Sequence, residues 1–369
     1  MLRRSFVSAS LAAPFAAAAE PKFRRVFFHD KEKIASGFSG FAFPTTERGF
    51  VTGVQREGSG RLQGFLLSTK DGGSTWQEAR LRFVPIFLQA LEPGFLWAMS
   101  NKREIWFSAE YGLDWRKLSK LKQALTLHFV DPQNGFAAGV EKMAWKTVDG
   151  GRKWQPIAAA TEAQGEKKYA AFQCIASHKG KLVSIFGNSQ ANRAYANPFG
   201  TPDWMQPEFA KLRRPRPALT LVLDSSDGGE TFRNTSASTF GEVRQVRIGE
   251  SGEGVVVVQF RGSFTYGGEV YRFRAGQAKE LELMLRPKDI EVHDALHVPG
   301  QGYYVAGTSR TSDIDLPVPT PVKILFSFDG KEFLDVAVDY RAEARRVFLA
   351  YAGRNVFAAT DEGMILKLS

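Results

Sequence analysis

The sequence predicts an all-β protein: a ring of seven four-stranded antiparallel sheets, the last completed by a strand from the N-terminus. Three observations carry that expectation. A short turn motif recurs along the chain, its copies keep a regular spacing, and the last unit is one strand short while a matching strand stands at the start. The motif reads TKDGGSTW at 69–76, TVDGGRKW at 147–154 and SSDGGETF at 225–232. Weaker copies stand at 108–115 (SAEYGLDW) and 327–333 (SFDGKEF, one residue short). From Asp71 to Glu110 is 39 residues, from Glu110 to Asp149 is 39 again, and from Asp149 to Asp227 is 78. So regular a spacing marks a repeat architecture, in which one supersecondary unit is stacked on its neighbours.

Each copy lies between apolar, strand-like runs and therefore reads as a hairpin turn. GFLLST leads into the first, EIWFSA into the second, KMAWKT into the third and ALTLVLDS into the fourth. In such a turn a carboxylate accepts hydrogen bonds from the backbone N–H groups just ahead of it. Asp71, Asp149, Asp227 and Asp329 are placed for this, with Glu110 in their position in the second copy. Gly73, Gly151 and Gly229 supply the positive φ that other residues resist. The closing aromatic (Trp76, Trp115, Trp154 or Phe232) buries a large apolar area between sheets. Trp76 and Trp154 in particular are expected as core between units. A catalytic acid is needed once, not five times, so these acids read as fold punctuation.

The units follow in order. The first has strands at 40–44, 49–55 and 61–69, with a fourth from residue 75. The second spans 85–118 and the third 124–157, followed by a polar connector at 158–168. The fourth begins at 171 and is interrupted by an insertion at 189–217 before its third strand resumes at 218. The fifth, 243–285, has lost the turn motif, and the sixth, 291–338, carries a second insertion at 309–322. The seventh shows three strands, at 346–351, 355–360 and 364–368, and its missing outer strand is expected at 23–28. Pairing the two ends of the chain removes an exposed edge. Residues 20–369 are thus expected to form a single domain.

The first 19 residues read differently. Arg3 and Arg4 precede an Ala-rich run that ends in Ala17 and Ala19, followed by polar Glu20-Pro21-Lys22. That is the pattern of a secretory signal peptide cleaved after Ala19. The run is short and broken by Pro14, so it is not a spanning helix. Its Arg-Arg-Ser-Phe-Val order also fits a twin-arginine address, and both export routes stay open. The destination is the periplasm or the extracellular space. The formal charge of +10 falls to +8 when Arg3 and Arg4 are removed. A dispersed excess of this kind steers acidic partners weakly and has no dense basic block. Nucleic acid is excluded for an exported protein, and a monomer is expected. Cys174 is the single cysteine, so export imposes no internal disulfide, and AFQCIA reads as a strand with a buried thiol.

Both insertions join the second and third strands of their units, as does the loop of the fifth unit between them. They therefore share the face opposite the repeated turns, where long loops on a rigid scaffold carry function. The candidate binding residues there are Arg193, Trp204, Arg213, Arg214 and Arg216 in the first insertion. Arg261 and Tyr266 follow in the fifth unit, and Arg310, Asp313 and Asp315 in the second insertion. No metal site is predicted. Of His29, His128, His178, His293 and His297, only the last two are spaced to share a strand face, and a metal needs three or four convergent ligands. No cofactor is predicted either, since Gly58, Gly60 and Gly64 lie in a hairpin rather than before a helix. No catalytic residue is assigned: there is no G-x-S-x-G elbow, and Asp313 and Asp315 lack the second acid that glycosidase chemistry requires.

The pattern S/T-x-D-x-G-x-T-W resembles the Asp-box (BNR) repeat of β-propellers in the superfamily that includes sialidases and sortilin-type proteins. With its leader and units such as FVDPQNGFAAG…KTVDGGRKWQ, the whole mature chain resembles the photosystem II stability/assembly-factor family. That resemblance implies a seven-bladed β-propeller that serves as an exported, non-catalytic scaffold. It would present its loop face to a protein partner or to a small acidic or glycan ligand. The family's arginine-rich channel surface has no residue-by-residue match here; Arg213, Arg214, Arg216, Arg261 and Arg310 are candidates by position. The competing class is an exo-acting, sialidase-like glycoside hydrolase. Such a site needs three arginines on a substrate carboxylate, a Tyr/Glu nucleophile pair and an acid, and the early R-I-P motif of those enzymes is missing. The discriminating feature is whether a carboxylate pair and an arginine cluster converge in one deep pocket.

Overall fold

The computed structural model describes residues 21–369 apart from 32–33, 57, 59, 191–217, 240, 261–265 and 311–317. Strands dominate it. Five separate four-stranded antiparallel sheets follow one another along the chain, each ordered as in the sequence. Two more are joined through the N-terminal strand into one nine-stranded sheet. The inner strand of each sheet touches the inner strand of the next, and that of the seventh touches that of the first. The ring is closed: a seven-bladed β-propeller.

Position in the ring explains strand composition. The second strand of a blade is covered on both faces by neighbouring blades, so apolar residues run through it without alternation. Gly135–Gly139 (GFAAG) is buried throughout, and Glu253–Phe260 (EGVVVVQF) nearly so. Small residues let adjoining strands of one blade approach: a Cβ on Gly139 would lie 1.9 Å from the carbonyl oxygen of Gln123, just ahead of the first strand of the same blade. Outer strands face water, and Gln77–Arg80 (QEAR) is exposed along its length. The core is thus a set of seams between adjacent blades. Trp97 of blade two stacks on Phe129 of blade three at 4.2 Å, and Phe43 of blade one on Phe357 of blade seven at 3.9 Å. Each fully buried ring of this size contributes on the order of 2–3 kcal/mol.

The closing strand, Lys22–Phe28, does more than complete the last blade. It pairs antiparallel with Met364–Leu368, as expected, and its first two residues also pair in parallel with Ala337 and Val338 of blade six. One strand therefore stitches two blades together. Other boundaries differ from the sequence reading. The inner strand of blade one is longer, Ala35–Ala42. In blade six the third strand resumes at Thr320, inside the expected insertion, because Thr320 and Pro321 pair with Ala344 and Glu343.

The repeated turns are held by a local hydrogen-bond cage. In the first, Asp71 Oδ1 accepts from the Thr75 N–H at 2.9 Å and from the Thr69 hydroxyl at 2.8 Å, and Oδ2 accepts from the Thr75 hydroxyl at 2.6 Å. Gly73 sits at φ +89°. The Trp76 indole donates to the Gly73 carbonyl at 3.1 Å, and Trp154 repeats that bond to Gly151. Both indoles are half-buried at the seams rather than enclosed; Trp115 is the more deeply buried, at 8% exposed. Asp149 and Asp227 cap Lys153 and Thr231 in the same way, and Asp329 caps Lys331 in the shortened copy. Phe232 packs edge-on against Phe136, whose ring a Cβ on Gly229 would strike.

The second copy departs from the expectation, and Glu110 is not its acid. Asp114 takes that part, accepting from the Ser108 hydroxyl at 2.7 Å and from the N–H groups of Ala109 and Glu110 at 3.1 Å. Asp114 occupies the place that Thr75 holds in the first copy, so the carboxylate stands at the end of the turn and reaches back to the hydroxyl and N–H groups at its start, where Asp71 reaches forward to the Thr75 N–H. Tyr111, at φ +54°, stands where the other copies have glycine.

Candidate functional site

A cavity of about 580 Å³ runs along the centre of the ring, lined by the inner strands of all seven blades. These strands are Ala35–Ala42, Pro85–Leu91, Ala124–Phe129, Ala170–His178, Gly241–Ile248, Ile290–Val298 and Val347–Ala352. Six of them share an irregularity. The pairing register with the second strand slips by one residue at Ser39, Ile86, Leu125, Gln173, Arg244 and His293. A β-bulge leaves its extra residue out of the ladder and re-aims the side chain. Here the first five bulged residues line the cavity, joined by Arg346 just ahead of the regular seventh strand.

The lining is uneven in charge. The inner strands of blades one to four contain no Asp, Glu, Lys or Arg. Blades five and seven bring Arg244, Arg247 and Arg346 to the wall, against one lining carboxylate among the described residues, Glu253. Arg244 Nη2 lies 3.0 Å from Glu242, which the Gln190 side chain also reaches from just past the second strand of blade four. Arg247 donates through Nη2 to Asp294 at 2.8 Å and to the Leu349 carbonyl at 2.9 Å, while the Leu349 N–H donates to the same Asp294 oxygen. Three blades are thereby locked at one point. Arg346 lies over the Phe348 ring at 4.8 Å.

The arginines act on a shared space. Burial pushes the Cys174 thiol up to about 12, while Arg244 and Arg346 both pull against that rise. A thiol so protonated is no nucleophile. His128 of blade three lies 2.7 Å from the Ser177 hydroxyl of blade four. Burial drops its pKa to about 4, so it is neutral at physiological pH. Neighbouring inner strands are further tied by Gln89 to both backbone groups of Phe129, by Gln173 to the Val243 carbonyl and by Gln245 to the Ala295 N–H. These amides fix the ring and with it the positions of the arginines.

The candidate residues read from the sequence fall elsewhere. Arg193, Trp204, Arg213, Arg214, Arg216, Arg261, Asp313 and Asp315 lie outside the described residues. Tyr266 is packed under Arg286 and Lys288 at ring distances of 5.5 and 6.0 Å, and the Arg310 N–H donates to the Asp289 carbonyl. Neither lines the cavity. Among the described residues no group of three or more His, Cys, Asp and Glu is placed to hold a metal ion, and no helix is long and apolar enough to cross a membrane. His293 Nδ1 accepts from the Val347 N–H at 3.3 Å, whereas His297 faces Ser251 and Tyr303.

One tyrosine–carboxylate pair bears on the enzyme alternative. The Tyr303 hydroxyl donates to Glu253 at 2.8 Å, and Arg274 holds the second Glu253 oxygen at 2.9 Å. Burial, followed by the bond to Glu253, pushes the hydroxyl up to about 12. That is opposite to the activation a nucleophile needs.

Sequence reasoning missed Arg244, Arg247, Arg346 and Asp294. A signal was present, since charge appears on inner strands only after the fourth blade, but reading it requires knowing which strand of each unit is innermost and where it bulges.

No protein-family model matches the chain, and no curated protein sequence does. Solved structures do. One, described as YCF48 bound to D1 peptide, aligns with a TM-score of 0.56 at 13% identity, covering 91% of this chain and 92% of that one. Another, YCF48 from Cyanidioschyzon merolae, aligns with a TM-score of 0.55 at 12% identity, covering 94% and 98%. At such identities the likeness is one of fold.

Proposed function

We propose that the chain is an exported, non-catalytic binding propeller that takes a segment of a protein partner at its central channel, in the manner of an assembly factor. The observation that carries this reading is the channel wall, where among the described residues Arg244 and Arg247, held by Glu242 and Asp294, stand with Arg346 on a closed, rigid scaffold. Such a wall focuses positive potential into a low-dielectric space and favours acidic partners. The YCF48 structure with a peptide, a propeller of the same architecture, supports a peptide as the kind of ligand. The leader pattern supports export to the periplasm or beyond, and the dispersed charge a monomer.

The test is capture of a defined partner by tagged mature protein. Arg346→Glu is expected to abolish capture without lowering the melting temperature, because its side chain faces the channel. Undiminished capture by that variant would place the partner elsewhere. Sialoside hydrolysis by a protein that captures nothing would revive the glycosidase alternative. N-terminal sequencing of the exported form is expected to begin at Glu20.

A further inference from the structure

Resting on the partner-binding reading, the bulged residues sharpen what the channel accepts. One bulge per inner strand places Ser39, Ile86, Leu125 and Gln173 on the wall contributed by blades one to four, and Arg244 on that of blade five. Arg346 completes the series from blade seven. The bulge is a backbone device shared by the inner strands of blades one to five, so the residue occupying it sets the wall chemistry blade by blade there. Ile86 is 37% exposed, a branched apolar side chain left open to the channel. The Gln173 amide is already spent on the Val243 carbonyl, and Phe41, Phe87 and Ile175 also line this arc. One arc of the channel is therefore neutral and largely apolar, and the facing arc presents Arg346 beside the ion-paired Arg244 and Arg247.

We propose that this ring of bulged residues makes the channel a two-sided site, selective for a carboxylate carried on an apolar body. The carboxylate meets Arg346, which forms charge-assisted hydrogen bonds to it beside the Arg244–Glu242 pair. The apolar body lies against Ile86, Leu125 and Phe87, where its burial adds affinity that a small anion cannot gain. A free acyl carboxylate and an apolar residue bearing the carboxylate of a peptide present the same chemistry.

Calorimetric titration of the mature protein with decanoate, propionate and decyltrimethylammonium tests both arcs without any substitution. Decanoate is expected to bind one to one, at least tenfold tighter than either of the others. An N-acetylated leucine–phenylalanine dipeptide, compared with its carboxamide, forms the peptide arm; the tighter of the two acids identifies the natural source. Arg346→Gln is expected to weaken decanoate at least tenfold and Ile86→Ser several-fold, while Arg24→Gln on the outer closing strand leaves it unchanged. Equal binding of decanoate and propionate would remove the apolar arc, and equal binding of decyltrimethylammonium the cationic one; either overturns the proposal. So would unchanged decanoate affinity in both channel variants. Partner capture that survives saturating decanoate would sink this inference and leave the partner-binding reading standing. Decanoate binding by a protein that captures no partner would do the reverse.

Discussion

Blades one to four and blades five to seven share one four-stranded plan and differ at both edges of it. Blades one to four each end their third strand in a complete turn, caged by Asp71, Asp114, Asp149 or Asp227 and closed by Trp76, Trp115, Trp154 or Phe232. Their inner strands are uncharged. In blade five the turn motif is gone, in blade six it is a residue short, and in blade seven the outer strand comes from the other end of the chain. These are the blades whose inner strands, or the residue just ahead of them, carry Arg244, Arg247, Asp294 and Arg346. One arc is built for regularity. The other gives up regular turns and holds its charges in place with bonds that cross between blades, such as Arg247 to Asp294 and Leu349.

The contrast makes predictions of decreasing size. Trp97, fully buried at the seam of blades two and three, tests the regular arc. Trp97→Ala is expected to cost about 3–5 kcal/mol of stability in chemical denaturation, with ligand affinity per folded molecule unchanged. A cost under ~1 kcal/mol would mean that the seam does not hold the ring. Asp294 tests the charged arc, because its loss orphans the Leu349 N–H as well as Arg247. Asp294→Ala is expected to lower stability by about 1–3 kcal/mol and also to weaken ligand binding, a combination absent from Trp97→Ala. Loss of stability with unaltered binding would leave Asp294 a purely structural residue.

The smallest effects separate two acids in one turn. Asp114→Ala is expected to cost about 1 kcal/mol, and Glu110→Ala less than ~0.5 kcal/mol, as for an ordinary surface change. The reverse order, read from melting curves, would restore Glu110 as the capping acid. Acid titration adds a check with a defined sign. The Thr75 hydroxyl and N–H, with the Thr69 hydroxyl, lower the Asp71 carboxyl from 3.8 to about 2. A depressed folded-state pKa contributes stability that is complete above the unfolded value and lost as pH falls through the folded one. Asp71→Ala should therefore differ most from the parent above pH ~4 and converge with it near pH ~2.

What the sequence made legible was local. The turn motif, its spacing and the spare terminal strand are each written in a few contiguous residues, so blade number and closure could be read. Glu110 misled because alignment assigns the acid by position, whereas a carboxylate can close the turn from either end, as Asp114 does by reaching back to the Ala109 and Glu110 N–H groups. The channel was hidden for another reason. A bulge adds one residue to a strand with no compositional mark, so VRQVR in blade five looks like an ordinary alternating strand. Its Arg244 and Arg247 face a common space only because the register slips between Val243 and Gln245.

The most direct measurement of the central claim is photo-crosslinking of the partner to mature protein carrying p-benzoylphenylalanine at a single position. Positions 86 and 125 sit on the channel wall, and position 79 on the exposed outer strand of blade one. Crosslinks from 86 and 125, with none from 79, are the predicted result. Crosslinks from 79 alone would put the partner on the rim of the ring and contradict a channel site.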